Sequence, residues 1–218
     1  MIARVRFVLT TALLASIALA RPALAGPPLL CHPFDIGTAA SLPWSGTTSW
    51  FDGKTDYKVA NLVADTEALL APSTPVIVRM ETLRRASIYA SRDPKIAFAL
   101  VERLTARAQA SKATGRPDAL ALLDAAYATE ALRQITTIGG IPGFKDQVDG
   151  VKDVISNADG WQYMKASLAA RPDDPALEFA AALIAADKDR AAYTGHAQRA
   201  RAGAAKDALL ARNLSHIS

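Results

Sequence analysis

The chain is poor in the residues that most often carry chemistry. Of its 218 residues one is Cys, Cys31, and three are His. A lone Cys cannot close an intramolecular disulfide, so stability has to come from packing. No C-x-x-C-H run is present for haem and no H-E-x-x-H for zinc. The run Asn157-x-Asp159-Gly160 hints at a calcium loop. Its first and twelfth ligand positions are Ile155 and Ala166, which supply no carboxylate, so the pattern fails. Gly139-Gly140-x-Pro142-Gly143-x-Lys145 resembles a phosphate loop in composition alone. It follows a helical stretch rather than a strand, and Asp146 stands where a hydroxyl belongs. It reads as a helix connection. No metal and no cofactor are expected.

Aromatic residues are scarce too, at 6%, although half the chain is hydrophobic. Alanine fills the gap, at about a fifth of the chain. Charge of one sign is nearly absent. The formal +4 includes Arg4, Arg6 and Arg21, which lie in a segment of 25 residues without an acidic group. The remaining 193 residues carry +1. The small excess sits in residues 189–218, with five basic and two acidic groups. A solvated helix face accounts for it. There is no basic stripe with interleaved aromatics, so no nucleic-acid partner is expected.

Met1 to Ala25 has the layout of a secretory signal peptide. Arg4 and Arg6 form the positive region, Phe7 to Ala20 the apolar region, and Ala23-Leu24-Ala25 the small-x-small cleavage site. That region, about fourteen residues long, falls short of the roughly twenty that span a bilayer. Leu29 and Leu30 before Cys31 argue against lipid attachment at that thiol. The expectation is an exported protein, periplasmic or secreted, with no stable membrane span after cleavage.

Residues 26–60 form an irregular head. Pro27, Pro28, Pro33 and Pro43 forbid a continuous helix there. Trp44, Trp50, Phe34, Phe51 and Tyr57 lie in or beside it, and that much apolar surface is seldom left in water. The head should therefore lie on the body as an apolar strap. Residues 61–218 show the i, i+3, i+4, i+7 spacing of amphipathic helices, with no alternating strand. Helices are expected at 61–71, 75–91, 94–113, 117–138, 146–156, 161–170, 175–187 and 190–214. The fold class is all-α, with antiparallel helix pairs forming a bundle or an α-solenoid.

Trp161 and Tyr163 open one helix, Ser167-Leu168 follow a turn later, and Pro172 closes it. Pro175 then starts a helix with Ala176, Ala180 and Leu183. This stretch, Trp161 to Leu183, resembles one tetratricopeptide repeat, which implies a helix pair and a protein- or peptide-binding surface. The head, with LCHPFDIG and LPW, is similar to exported bacterial proteins of unknown function. That resemblance implies export and does not point to any particular activity.

The candidate site residues follow from these segments. Cys31, His32 and Asp35 are a possible nucleophile, base and carboxylate, although neighbours in an extended segment point apart. Trp44 and Trp50 would roof a site beneath the head. Glu81 and Arg85, at i and i+4, read as a surface pair. Arg84 or Arg85 would meet Asp124 or Glu130 across a groove, with Tyr127 beside them. Carboxylates flanked by Arg and Tyr suit acid–base work where burial raises a pKa. Two functions stand from this reading. One is a protein- or peptide-interaction module of the cell envelope. The other is a small-ligand-binding or hydrolase-like enzyme with its site between the head and the helices carrying Glu81 and Asp124.

Overall fold

The computed structural model describes residues 26–45, 50–138 and 145–218, with backbone alone over 145–149. The segment read as a signal peptide and the glycine-rich connection at 139–144 lie outside the described residues. The described part is all-α. After a 3₁₀ turn at Val59–Asn61 come α1 (Leu62–Leu69), α2 (Val76–Ala90), α3 (Pro94–Ala113), α4 (Ala119–Thr137) and α5 (Lys145–Ile155). Then follow α6 (Gly160–Ala170), α7 (Pro175–Ala185), α8 (Arg190–Gly203) and α9 (Ala208–Asn213), with 3₁₀ turns after α8 and α9. Among the described residues no helix is long and apolar enough to cross a membrane.

The helix starts are chemically explicit. Asp93, Asp118, Asp159, Asp174, Asp189 and Asp207 each accept a backbone N–H from the first turn of α3, α4, α6, α7, α8 and α9. These bonds satisfy donors that have no partner inside the helix, and the carboxylate also opposes the positive end of the helix dipole. Pro94 and Pro175 stand just inside their helices, where the missing N–H costs nothing. The expected helix over 190–214 is broken in two. The Asp207 carboxylate captures the N–H groups of Leu209 and Leu210 and starts α9 afresh.

Two helices form the middle of the molecule. On α2 only Arg85 is not buried, and α4 is buried along most of its length. Ala121, Ala125, Ala126, Ala128 and Ala131 let neighbours approach α4 closely. α3 turns Ala97, Leu100, Leu104 and Ala108 inward and leaves the opposite face to solvent. In α7 every residue after Pro175 is buried. α6 packs chiefly on α4, and α7 chiefly on α8. α5 crosses the start of α3 so tightly that a Cβ on Gly150 would stand 2.2 Å from Pro94 Cγ.

The head does lie on this body. Leu29, Leu30, Phe34 and Leu42 are all core residues, and Trp44, edge-on, and Tyr57, tilted, pack against Tyr89 of α2. The head also meets the far end of the chain. Asn213 of α9 accepts the Asp35 N–H and donates to the Asp35 carbonyl, both at 2.9 Å. Since Asp207 caps the short helix that carries Asn213, the cap and the head should be coupled. Asp207→Ala is expected to cost about 1 kcal/mol, a fall in melting temperature of roughly 2–4 °C for a chain of this size. Faster amide exchange at Asp35 should accompany it. Unchanged exchange at Asp35 would show the two ends to be independent.

Candidate functional site

The head has almost no hydrogen-bond ladder of its own, yet it is buried at Leu29, Leu30, Phe34 and Leu42. Backbone polar groups away from water need partners. Here side chains from the body supply them. On α2, Arg84 donates through Nη1 to the carbonyls of Leu30 and Trp50 at 3.0 and 2.9 Å. Arg85 donates to the Leu42 carbonyl at 2.6 Å. Tyr89 donates to the Pro43 carbonyl at 2.6 Å and accepts the Lys54 N–H at 2.8 Å. On α4, Tyr127 donates to the Leu29 carbonyl at 2.8 Å, and Gln134 accepts the Leu29 N–H at 2.9 Å.

Glu81 holds this arrangement together. Arg84 grips its carboxylate in a fork, through Nε at 2.7 Å and Nη2 at 2.9 Å. Arg85 Nε donates to the same group at 2.7 Å, and the Phe34 N–H donates at 3.1 Å. Glu81 and Arg84 are fully buried. Burial alone would raise the Glu81 carboxyl, but the bonds and charges of Arg84 and Arg85 outweigh it and hold the group below its ordinary value. The Arg84 guanidinium also lies 5.0 Å from the centre of the Trp44 ring. The Glu81–Arg85 pair is thus half of a buried network and not the expected surface pair. α2 is covered on every side, so its carboxylate never reaches water.

Asp124 belongs to a different cluster. It meets neither Arg84 nor Arg85. Arg79 Nη1 donates to it at 2.5 Å and Arg107 of α3 at 2.9 Å. Arg79 also donates to the carbonyls of Thr74, Leu70 and Ala71, tying down the α1–α2 loop. The second Asp124 oxygen is buried without a protein partner. Burial pushes its carboxyl up to about 6, against the pull of the two arginines. Glu130 joins a third set, with Arg133, Lys188 and the Gly160 N–H. The expected groove with Arg84 or Arg85 facing Asp124 or Glu130 does not form. Arg79 is five residues earlier on α2, on a different face, and takes the Asp124 side, while Arg84 is drawn to the head.

Cys31, His32 and Asp35 do not converge into a nucleophilic set. Burial pushes the Cys31 thiol up to about 11, away from the reactive thiolate. Asp35 is exposed; its carboxylate accepts the Gly37 N–H at 2.9 Å and faces Arg212 at 3.8 Å. His32 lies edge-on to His216, 6.2 Å away between ring centres. Trp50 packs on Phe51, and its carbonyl is held by Arg84. Among the described residues no group of three or more His, Cys, Asp or Glu is placed to hold a metal ion.

The sequence reading passed over Arg79, Arg107, Tyr89, Gln134 and Asn213. A signal for Arg79 exists in α2. Val76, Ile77, Val78, Met80, Leu83, Ala86 and Ile88 cover every face of that helix, so it must be buried all round and each charge on it must be paired. Gln134 and Asn213 give no such sign.

Open relief lies elsewhere. On the outer face of α3, Pro94, Phe98, Val101, Thr105, Gln109 and Lys112 make one stripe that faces α5 and the start of α6. The cleft at its far end measures about 540 Å³ and is lined by Gln109, Lys112, Asn157, Gln162 and Tyr163 among others. A second hollow of about 410 Å³ lies around Phe98 and shares Val154 with the first. Phe98 is 55% exposed, the one large hydrophobic so exposed among the described residues. No known protein family, curated protein or solved structure matches the chain.

Two outcomes follow from the buried carboxylates. Glu81→Gln keeps the shape but leaves two guanidinium groups without their counter-charge. Denaturant unfolding should show a loss of about 3–5 kcal/mol. A loss below 1 kcal/mol would mean that the clasp contributes little. The pH dependence has two limbs of opposite sign. Glu81, held low in the fold, stabilises above its ordinary carboxyl range and loses that contribution as pH falls through its folded value. Asp124, raised to about 6, favours the fold below its unfolded value and loses that contribution as pH rises through 6. Asp124→Asn should therefore flatten the fall in stability between pH 4 and pH 6 and leave the acid limb intact. An unchanged profile in that interval would place the midpoint of Asp124 elsewhere.

Proposed function

We propose that the chain is an exported binding module of the cell envelope which docks an extended peptide segment along the outer face of α3. The observation that carries this reading is the continuous stripe from Pro94 to Lys112, walled by α5 and α6. Eighteen residues of helix span about 27 Å, enough for about eight residues of extended chain. Phe98 offers an apolar anchor at one end, and anchors of that kind supply most of the affinity at small interfaces. At the other end Gln109, Asn157 and Gln162 each present one donor and one acceptor group, the pattern of a peptide unit. Lys112 and Asp159 supply one charge of each sign there, which suits a neutral backbone better than a polyanion. The start of α6, within the stretch that resembles a tetratricopeptide repeat, forms part of the wall. The enzyme reading draws no support from the geometry, since Glu81, Arg84 and Tyr127 are bonded to the backbone of the head.

The test is a synthetic array of ten-residue peptides probed with the full chain and with Phe98→Asp. The wild-type protein should retain peptides that share one aromatic or branched aliphatic residue. Affinity measured by fluorescence anisotropy should fall about tenfold or more in the variant. Its melting temperature should stay close to that of wild type, because Phe98 is exposed. Equal retention by both proteins, or retention of no peptide, would overturn the proposal.

A further inference from the structure

A separate small cavity, which shares no lining residue with the α3 clefts, lies where the head, the α7–α8 turn and the end of the chain meet. Its volume is about 150 Å³, well below the roughly 300–1,000 Å³ of pockets for drug-sized ligands, so its occupant must be small. Asp187 and Arg190 both line it. They are three residues apart and opposite in charge, yet they make no ion pair with each other or with any other described residue. Both are exposed. The Arg190 guanidinium lies over the Tyr193 ring, 5.0 Å from its centre. Asp187 accepts from Gln134 Nε2 at 3.4 Å, and Gln134 is itself fixed by the Leu29 N–H. His216 completes one wall. Its ring stacks on Phe34 with centres 4.8 Å apart, and its Nδ1 is buried without a protein partner. Leu183 and Pro28 add a short apolar surface.

We infer that this cavity binds a small zwitterion of the α-amino-acid type. Its carboxylate docks on Arg190, its ammonium on Asp187, and its short side chain against Leu183 and Pro28. A planar guanidinium prebound to a ring matches a carboxylate in a two-point contact. A carboxylate lining the same cavity selects a ligand with a positive group, so a simple anion gains only half of the contacts. Burial holds the His216 imidazole low, near 4, with a smaller push from His32. The ring is therefore neutral at working pH and repels neither end of the ligand. The site is distinct from the α3 stripe and does not rest on the peptide-docking reading.

The experiment is a titration of the full chain with glycine, L-alanine and L-serine. Acetate and methylammonium serve as half-ligands, and L-tryptophan as an oversized control. Heat is read by calorimetry, and the His216 ring signals by NMR. Saturable binding of the three small amino acids is expected, with His216 shifted and each half-ligand at least tenfold weaker. Arg190→Gln and Asp187→Asn, both at exposed positions, should fold normally and each lose at least tenfold in affinity. Tryptophan should not bind. The proposal is overturned if no small amino acid gives a saturable signal. It is also overturned if the half-ligands match glycine, or if both variants bind as well as the wild type.

Discussion

The grip of Arg84 on Glu81 is the interaction on which the rest of this structure depends. A head without helix or sheet has to be buried because it carries Leu29, Leu30, Phe34 and Leu42. Its apolar side chains gain from burial, but its carbonyls and N–H groups lose water and need replacements. One guanidinium meets two of those carbonyls and still has two donors for the carboxylate. An uncharged side chain of similar size offers fewer donors in fixed directions. The cost of burying the charge is met by Glu81, and the carboxylate is satisfied in turn by Arg85 and the Phe34 N–H. Each element of the clasp is needed because the previous one is buried. That chain of requirement explains why so many charges lie inside a protein whose stability comes from alanine-rich helix packing.

Two of the buried carboxylates, Glu81 and Asp124, show how much the number and direction of partners decide. Glu81 uses both oxygens and accepts from two arginines and one amide. Asp124 uses one oxygen for both of its arginines and leaves the other unpartnered. Arg107 is also partly open to water, which weakens its hold. Desolvation therefore prevails at Asp124 and fails at Glu81, although each lies beside two guanidinium groups. A raised carboxyl beside arginines is a familiar mark of a catalytic group. Here it marks a structural tie, since Arg79 extends the same cluster into three carbonyls of the α1–α2 loop.

The fold was legible where the code is local. Asp93 before Pro94 and Asp174 before Pro175 mark helix starts without any tertiary knowledge, and α3 spans the residues its periodicity predicts. The break at Asp207 was missed because Ala-rich sequence on both sides keeps a helical period through it. The clasp was legible in half. Glu81, Arg84, Arg85, Tyr127 and the two tryptophans stand out in the sequence as the lining of a ligand groove, with Glu81 and Arg85 as a surface pair. The structure instead ties Glu81, Arg84, Arg85 and Tyr127 to the backbone of the head. Their partners were not legible, because hydrogen bonds to backbone carbonyls leave no trace in residue type. Asn213 reaches Asp35 across 178 positions, and a single asparagine near the end of a chain looks like any surface residue. Arg79 carries a sign of its own, because the apolar residues of α2 cover every face and each charge on such a helix needs a partner.

These interior commitments also shape what is left outside. A charged side chain bonded to buried backbone is unavailable to a ligand, since releasing it would expose an unpaired charge and several carbonyls at once. Accessible recognition must then be built from groups that the fold does not need. The α3 stripe is of that kind: Phe98 contributes nothing to the core, and Gln109 and Lys112 make only exposed contacts with Tyr163. Asp187 and Arg190, unpaired at the α7–α8 turn, are of the same kind. The head takes part in this division. It closes over α2, where the charges are committed, and it forms one wall of the small cavity through Gly26, Pro28 and His32.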